Sequence, residues 1–159
     1  MKFLSVCDIH IFHWFKNSVV DERGIPSRLS QYETLASDLE DYADTHGVDA
    51  YLLEGDLLQT PTSPPMVLNM AKQFLITLSR KRKCFVIPGN HDVDAKGDNN
   101  SYHSVIAPLV DQDTPNLVYV AEETVYDFNG VKLFFRPWVT GDANFENLKP
   151  ADIALLHGP

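Results

Sequence analysis

Four short apolar runs in this sequence each end in residues that can bind a metal ion or carry a proton. The runs at residues 3–7, 50–53 and 84–87 lead into Asp8-Ile9-His10, Glu54-Gly55-Asp56 and Pro88-Gly89-Asn90-His91-Asp92, and the run at 153–156 leads into His157. Apolar runs of this length bounded by turn residues are typical of buried strands. Parallel strands bring their carboxyl ends to one edge of a sheet. The sequence therefore predicts an α/β fold in which these polar residues meet.

Helical periodicity separates the first three runs. Between residues 27 and 45 apolar side chains recur at helical spacing, Ser30 to Glu33 resembles a capping box, and Gly47 suits the helix end. A second helix is predicted to begin at Ser63-Pro64, because proline is tolerated in a first turn. The basic run at residues 80–83 follows that helix and is predicted to complement its dipole rather than to bind DNA.

The rest of the chain has a different pattern. A short helix is predicted near residues 101–110, followed by strands at 117–120, 124–128, 131–135 and 153–156. Asn129-Gly130, between two of these strands, predicts a tight hairpin.

Bulk properties limit the class of protein. A length of 159 residues with 44% hydrophobic content suits one domain with a buried core. Cys7 and Cys84 lack the spacing of a zinc or disulfide framework, so we expect both to be reduced core residues. We find no signal peptide and no run of roughly 20 apolar residues, and expect a soluble, cytoplasmic protein with no membrane partner. The net charge of −9 argues against a broad basic surface for nucleic acid, although divalent cations can make a pocket positive.

The residues at the strand ends are of the types that hold a pair of divalent cations. Such a site needs a shared anionic oxygen, imidazole and amide ligands, and open positions for water and phosphate. Asp8 and His10 are two residues apart, so on an extended segment both would point to one side. Asp56 follows a glycine at a strand end and is the natural shared carboxylate. Asn90 and His157 can bind the second ion.

His91 stands beside a ligand without being needed as one, so it is the candidate catalytic acid that protonates a leaving oxygen. Each residue also has an ordinary structural interpretation: Asp8 could cap a helix, and His157 could be a satisfied structural histidine. The occurrence of metal-binding residue types at the ends of all four predicted strands favours the metal site. Two ions about 3.5–4 Å apart can activate a shared water and neutralise charge on a phosphate.

The ordered motifs Asp-x-His, Gly-Asp, Gly-Asn-His-Asp and a lone His resemble those of the calcineurin-like metallophosphoesterases. The resemblance implies a four-layer α-β-β-α sandwich, with Asp8, His10 and Asp56 on one metal and Asp56, Asn90 and His157 on the other. The family's Gly-His-x-His motif, which adds one ligand to each ion, does not occur in these 159 residues. We therefore expect residues 1–159 to be the N-terminal portion of such a domain and to bind metal weakly.

Within the superfamily, the stretch at residues 55–65 is most similar to the SbcD-type DNA nucleases. That resemblance implies DNA cleavage in repair or recombination, manganese as the preferred ion with magnesium, iron or zinc as substitutes, an SbcC-type ATPase partner and a homodimer. Gln59 occupies the position where the superfamily usually has Asp, Asn or His to orient the catalytic histidine, which weakens the expectation for His91. A phosphatase or small-molecule phosphodiesterase, and a non-catalytic interaction module with the same fold, stay open as alternatives.

The loop after His10 contains both basic and aromatic residues. Lys16, Arg23 and Arg28 could contact phosphates, or they could be ordinary surface charges offset by neighbouring acids. His13, Trp14 and Phe15 could stack on an unpaired base. Anchoring of the loop on the core would explain Trp14 and Phe15 equally well.

Overall fold

Two helices and nine strands lie in the part of the chain that the structure, a computed structural model, describes: residues 1–94, 103–111, 113–138 and 148–158. In chain order they are β1 (Phe3–Val6), α1 (Ser27–His46), β2 (Ala50–Glu54), α2 (Pro65–Ser79), β3 (Lys83–Ile87), β4 (Val93–Asp94), β5 (His103–Ser104), β6 (Leu117–Tyr119), β7 (Thr124–Phe128), β8 (Val131–Arg136) and β9 (Ile153–Leu156).

The strands form two main sheets. One is a parallel sheet in the order β1-β2-β3-β6, and the other is a three-stranded sheet in the order β7-β8-β9, with β7 and β8 antiparallel and β9 parallel to β8. The strands β4 and β5 form a small separate pair. The predicted α/β fold class is confirmed.

The alternation of side chains in the parallel sheet separates two cores. Tyr51 and Leu53 of β2 face a cluster with α1 and α2, whereas Ala50 and Leu52 face the second sheet and pack with Phe135 and its neighbours. Successive side chains of a strand point to opposite faces, so a strand that is apolar throughout must be covered on both. Helices, parallel sheet and mixed sheet thus make three layers of the expected sandwich.

Helix α1 begins at Ser27 as predicted, but its N-terminal cap and the orientation of two of its apolar residues differ from the prediction. Pro26 is its N-cap and no side-chain cap bond forms, so the predicted capping box at Ser30 is wrong. The predicted helix end is confirmed, since Gly47 adopts the left-handed conformation at φ 63°. Leu35 and Tyr42, two of the periodic apolar residues, are 37% and 50% exposed. The core side of α1 includes the other three periodic residues, Leu29, Tyr32 and Leu39, together with the buried Ala36 and Ala43.

Three further expectations are corrected. The predicted short helix near residues 101–110 is absent from the described residues 103–111, which contain a two-residue strand and a 3-10 turn at Ala107–Leu109. Cys84 is buried as expected, but Cys7 is exposed because β1 ends one residue before it. In the basic run, Arg82 pairs with Glu40 and Asp44 of α1 rather than complementing the end of α2.

The predicted hairpin is confirmed. Asn129 and Gly130 have φ values of 53° and 86°, which is the backbone that a two-residue turn between twisted strands requires. Among the described residues, no helix is both long and apolar enough to span a bilayer.

Candidate metal and active site

All six predicted site residues line one pocket at the carboxyl ends of β1, β2, β3 and β9. The pocket has a volume of about 500 Å³. Its lining residues are Cys7, Asp8, His10, Glu54, Asp56, Asn90, His91, Leu156, His157 and Gly158. Residues that lie up to 149 positions apart in sequence are therefore brought together. Their positions at the ends of predicted strands had led us to expect this.

Asp56 lies at the centre of the pocket. Its side chain is almost fully buried, and its Oδ2 is 3.8 Å from Nε2 of His10 while its Oδ1 is 3.5 Å from Nε2 of His157. The backbone N–H of His91 donates a hydrogen bond to the same Oδ1 at 2.9 Å. One carboxylate thus faces imidazoles from two sides, as a shared metal ligand would.

Asp8 and His10 lie on the β1 side, but not on an extended segment. Both have positive φ, 54° and 50°, which is uncommon outside glycine. Backbone hydrogen bonds hold this turn against the next loop: His10 N–H donates to the carbonyl of Asp56 at 2.9 Å, and Asp8 N–H to that of Gly55 at 3.3 Å. The turn still brings Nε2 of His10 to 3.7 Å from Oδ1 of Asp8. The two side chains converge, although by a different backbone than the one predicted.

Asn90 and His157 lie on the opposite side of Asp56. The carbonyl oxygen of Glu54 is 2.7 Å from Nδ1 of His157. Since a carbonyl only accepts, Nδ1 carries a hydrogen. Nε2 of the same ring is 3.1 Å from Oδ1 of Asn90.

These distances fit divalent cations. Ligand atoms about 2.0–2.2 Å from a common ion lie roughly 3–3.5 Å from each other. The separations of 3.1 to 3.8 Å around Asp56 are close to that spacing and mostly longer than hydrogen bonds. Oxygen and imidazole nitrogen donors together suit manganese, iron and zinc. The residues present therefore fit divalent cations.

Two glycines make this packing possible. A Cβ on Gly89 would overlap Oδ1 and the backbone nitrogen of Asp56, and a Cβ on Gly55 would overlap the ring of His157. Gly55 also has φ 89°, a conformation that other residues adopt only with strain. The glycines of both motifs are thus needed for the close approach of the strand-end loops.

His91 is oriented by a backbone group rather than by the Gln59 side chain. Its Nδ1 is 2.6 Å from the carbonyl oxygen of Gln59, so Nδ1–H donates and Nε2 is left for other partners. The ring packs edge-on against that of His10 with centroids 4.9 Å apart. Nitrogen atoms of His91 and His10 and an oxygen of Asp56 all lie within 4.8 Å of one another. The identity of residue 59 is therefore not what orients the imidazole.

Asp92, which the sequence analysis gave no role, joins two of the site's loops. Its carboxylate is fully buried and accepts hydrogen bonds from the backbone N–H groups of Leu57, Leu58 and Gly89, at 3.1, 2.8 and 2.9 Å. Burial raises the pKa of Asp92, while the three donors oppose that shift. The fourth residue of Gly-Asn-His-Asp thus holds the Gly-Asp loop in place. The only sequence signal for this role was the position of Asp92 three residues after Gly89, whose backbone N–H needs an acceptor.

Replacing Asp92 with asparagine is expected to destabilise the fold. An amide nitrogen in place of either oxygen would face backbone N–H donors, and each buried amide left without an acceptor costs about 1–3 kcal/mol. Urea denaturation measures the change in the free energy of unfolding. The control is Asp127→Asn, since exposed Asp127 accepts a single bond from Gly130 and water can replace it; we expect a change under about 0.5 kcal/mol. Equal stability of the two variants would contradict the role of Asp92.

Cys7 and Glu54 also line the pocket and were not predicted to do so. Glu54 accepts a hydrogen bond from the hydroxyl of Ser5 at 2.6 Å. A hydrogen bond to Asp8 raises the pKa of the Cys7 thiol, so it stays protonated rather than acting as a thiolate. Neither residue stands in a motif, and only the position of the strand ends brings them to the pocket.

The fold and the arrangement of the pocket residues are those expected of a phosphoesterase, and the family comparison agrees. The chain belongs to the calcineurin-like phosphoesterase family, whose sequence pattern matches residues 1–159. Members of this family are hydrolases that bind divalent metals.

Two similar proteins illustrate how the chain relates to others. It is 26% identical over 123 residues to uncharacterized protein R555 of Acanthamoeba polyphaga mimivirus, a match that covers 68% of this chain and 9% of that protein. Among solved structures it is similar to the Pseudomonas putida nuclease MPE, with 22% identity, a TM-score of 0.44, and coverage of 86% of this chain and 55% of the nuclease chain. The chain thus spans only part of the length of either protein.

Proposed function

We propose that this protein hydrolyses phosphodiester bonds with two divalent cations and acts on DNA as an SbcD-type nuclease. The observation that carries the hydrolytic part is the position of Asp56, with its two oxygens facing His10 on one side and His157 on the other. One ion would be held by Asp8, His10 and Asp56, and the other by Asp56, Asn90 and His157. When bound, the ions would supply an activated water and neutralise charge on the phosphate oxygens.

The protein's own residues position the substrate and handle the proton. The pocket, with a volume of about 500 Å³, has room for a phosphate group beside these residues. His91, with Nδ1–H bound to the Gln59 carbonyl, presents Nε2 toward the reacting groups and holds there the proton that the leaving oxygen takes up. The backbone of Gln59 is itself fixed, because its N–H donates to the carbonyl of Ile11 at 3.3 Å.

DNA is the proposed substrate because residues 55–65 are most similar to the corresponding stretch of SbcD-type nucleases. An SbcC-type ATPase partner, a homodimer, a role in repair or recombination and manganese as the ion in cells are part of the same proposal. Net acidity favours the alternative of a phosphatase or small-molecule phosphodiesterase, since such a substrate does not need a broad basic surface that contacts many phosphates.

The test is manganese-dependent cleavage of single-stranded and double-stranded DNA by the intact protein, with Asp56→Asn and His91→Ala as inactive references. We expect cleavage that stops when a chelator removes the ions. Hydrolysis of a phosphomonoester or a nucleotide without any cleavage of DNA would overturn the nuclease assignment in favour of the phosphatase. Metal binding without hydrolysis of either substrate would favour the non-catalytic interaction module.

A further inference from the structure

A second concave surface lies between the aromatic loop, which is the segment of residues 12–15 after His10, and the first turns of α1. It is a groove of about 440 Å³ lined by Trp14, Arg28, Gln31, Tyr32 and Leu35. The last four are spaced along one face of α1, and Trp14 comes from the loop after His10. We call this surface the Trp14 groove.

The aromatic loop is not anchored on the core. Trp14 is 41% exposed and Phe15 is 60% exposed. Their contacts are mainly with other rings of the same segment: Phe12 packs edge-on against Trp14 at 5.1 Å, and His13 against Phe15 at 4.6 Å. Exposed aromatic rings that are grouped in this way offer a surface to a partner.

Arg28 differs from its basic neighbour Arg23 in its electrostatic surroundings. The guanidinium of Arg23 is paired with Asp21 and Glu33. The exposed Arg28 has no ion pair within the described portion of the chain, where its backbone N–H bonds to Ser18. In a chain of net charge −9, an unpaired guanidinium beside an exposed indole fits an anionic ligand that also has a flat apolar face.

The groove is connected to the metal site through Tyr32. The hydroxyl of Tyr32 donates a hydrogen bond to the carbonyl of His10 at 2.9 Å. The same hydroxyl lies beside the Trp14 side chain. A ligand in the groove would therefore lie one side chain away from the Asp-x-His turn.

We propose that the Trp14 groove binds an unpaired nucleotide of a DNA strand whose phosphodiester enters the metal site, with the base stacked on Trp14 and a flanking phosphate on Arg28. This inference rests on the proposed nuclease function. Aromatic faces accept any base, and Gln31 offers both a donor and an acceptor to a base edge. The single unpaired cation limits the groove to one or two phosphates, so binding is expected to depend only weakly on salt.

Fluorescence of Trp14 tests binding independently of catalysis. The chain has two tryptophans, so Trp138→Phe leaves Trp14 as the only reporter. Titration of this variant with single-stranded oligothymidylate is expected to quench the emission to saturation, because a stacked base quenches the indole. Absence of quenching by the oligonucleotide would overturn the proposal. Suppose instead that sedimentation shows a dimer that Trp14→Ala disrupts, and that the oligonucleotide has no effect. The groove would then be assigned to a second copy of the chain.

Substitutions define the two contacts. Trp14→Ala is expected to weaken oligonucleotide binding about 5- to 100-fold in fluorescence anisotropy, and Arg28→Gln to weaken it and lower the salt dependence by about one ion. Tyr42→Ala, an aromatic half-exposed further along α1, and Arg80→Gln, an exposed arginine after α2, are the matched controls and should change nothing. Equal losses in a variant and its control would overturn the assignment.

Failure of this inference differs from failure of the proposed function. If the protein cleaves DNA and Trp14→Ala changes neither affinity nor KM, the nuclease stands and the groove assignment is wrong. If Trp14 and Arg28 bind the oligonucleotide but no DNA is cleaved, the groove assignment stands and the nuclease is wrong.

Discussion

Replacing Asp56 with asparagine is expected to abolish binding of both divalent ions and to lower phosphodiester hydrolysis at least about 10³-fold, which corresponds to roughly 4 kcal/mol in the barrier. The amide nitrogen of asparagine cannot ligate a cation, and Asp56 is the residue whose two oxygens face both imidazoles. The other oxygen can keep its bond from the His91 N–H, so the fold should remain intact. Titration calorimetry with manganese and hydrolysis of a phosphodiester measure the two effects.

Asp38→Asn is the matched control, because it removes the same charge from an exposed position on α1. Its metal affinity and activity should equal those of the unsubstituted protein. Two manganese ions bound with unchanged affinity by Asp56→Asn would show that Asp56 is not the shared ligand. Thermal unfolding of the variant confirms that any loss of metal is local. The low metal affinity expected from the missing Gly-His-x-His motif stays a prediction that the same titration measures.

Replacing His91 with alanine is expected to lower kcat on DNA by about 10²- to 10⁴-fold, the usual contribution of a general acid. Metal affinity should be retained, because His10, Asp56 and the opposite pair of ligands remain in place. The loss should shrink on a p-nitrophenyl ester, whose leaving group needs no proton. Kinetics on both substrates, together with manganese titration, therefore distinguish a role of His91 as general acid from a role as metal ligand.

His46→Ala is the control for His91→Ala, since His46 lies at the end of α1 stacked on Tyr42 and away from the pocket. It should leave kcat unchanged on both substrates. Because His91 lies with His10 and Asp56 in a cluster within 4.8 Å, the same experiments also test whether His91 binds a metal ion. If His91→Ala loses a manganese ion and is equally impaired on both esters, His91 is a metal ligand and another group supplies the proton.

The strand ends were predictable because their signals are local. A short apolar run followed by Gly-Asp or Gly-Asn-His-Asp indicates a strand and its exit, whatever the rest of the chain does. The Asn129-Gly130 hairpin was predictable for the same reason, since its turn depends on the conformational freedom of two adjacent residues. Parallel pairing then brings the ends of β1, β2 and β3 to one edge, so the meeting of Asp8, Asp56 and Asn90 followed from topology.

Features that depend on distant partners could not be predicted in this way. Leu35 and Tyr42 match helical periodicity as well as the buried residues do, and only the packing of α1 against α2 and the sheet decides which side faces water. The same holds for Cys7, which belongs to an apolar run by composition but lies just past the last paired residue of β1. Arg82, which lies between α2 and β3, pairs with Glu40 and Asp44 of α1, and no local pattern indicates this contact.

By itself, the sequence determined which chemical groups are available and at which strand ends they stand, because strand formation and glycine turns depend on neighbours along the chain. The tertiary structure alone decided how those groups are oriented. It sets the positive φ of Asp8 and His10, and it places the backbone carbonyl of Gln59 against His91. It also lets Asp92 accept hydrogen bonds from the loop that follows Asp56. Each of these joins segments more than 30 residues apart or selects a strained backbone that only surrounding contacts can hold. Ligand identity is a local property of the chain, whereas ligand geometry is a property of the packed sheets.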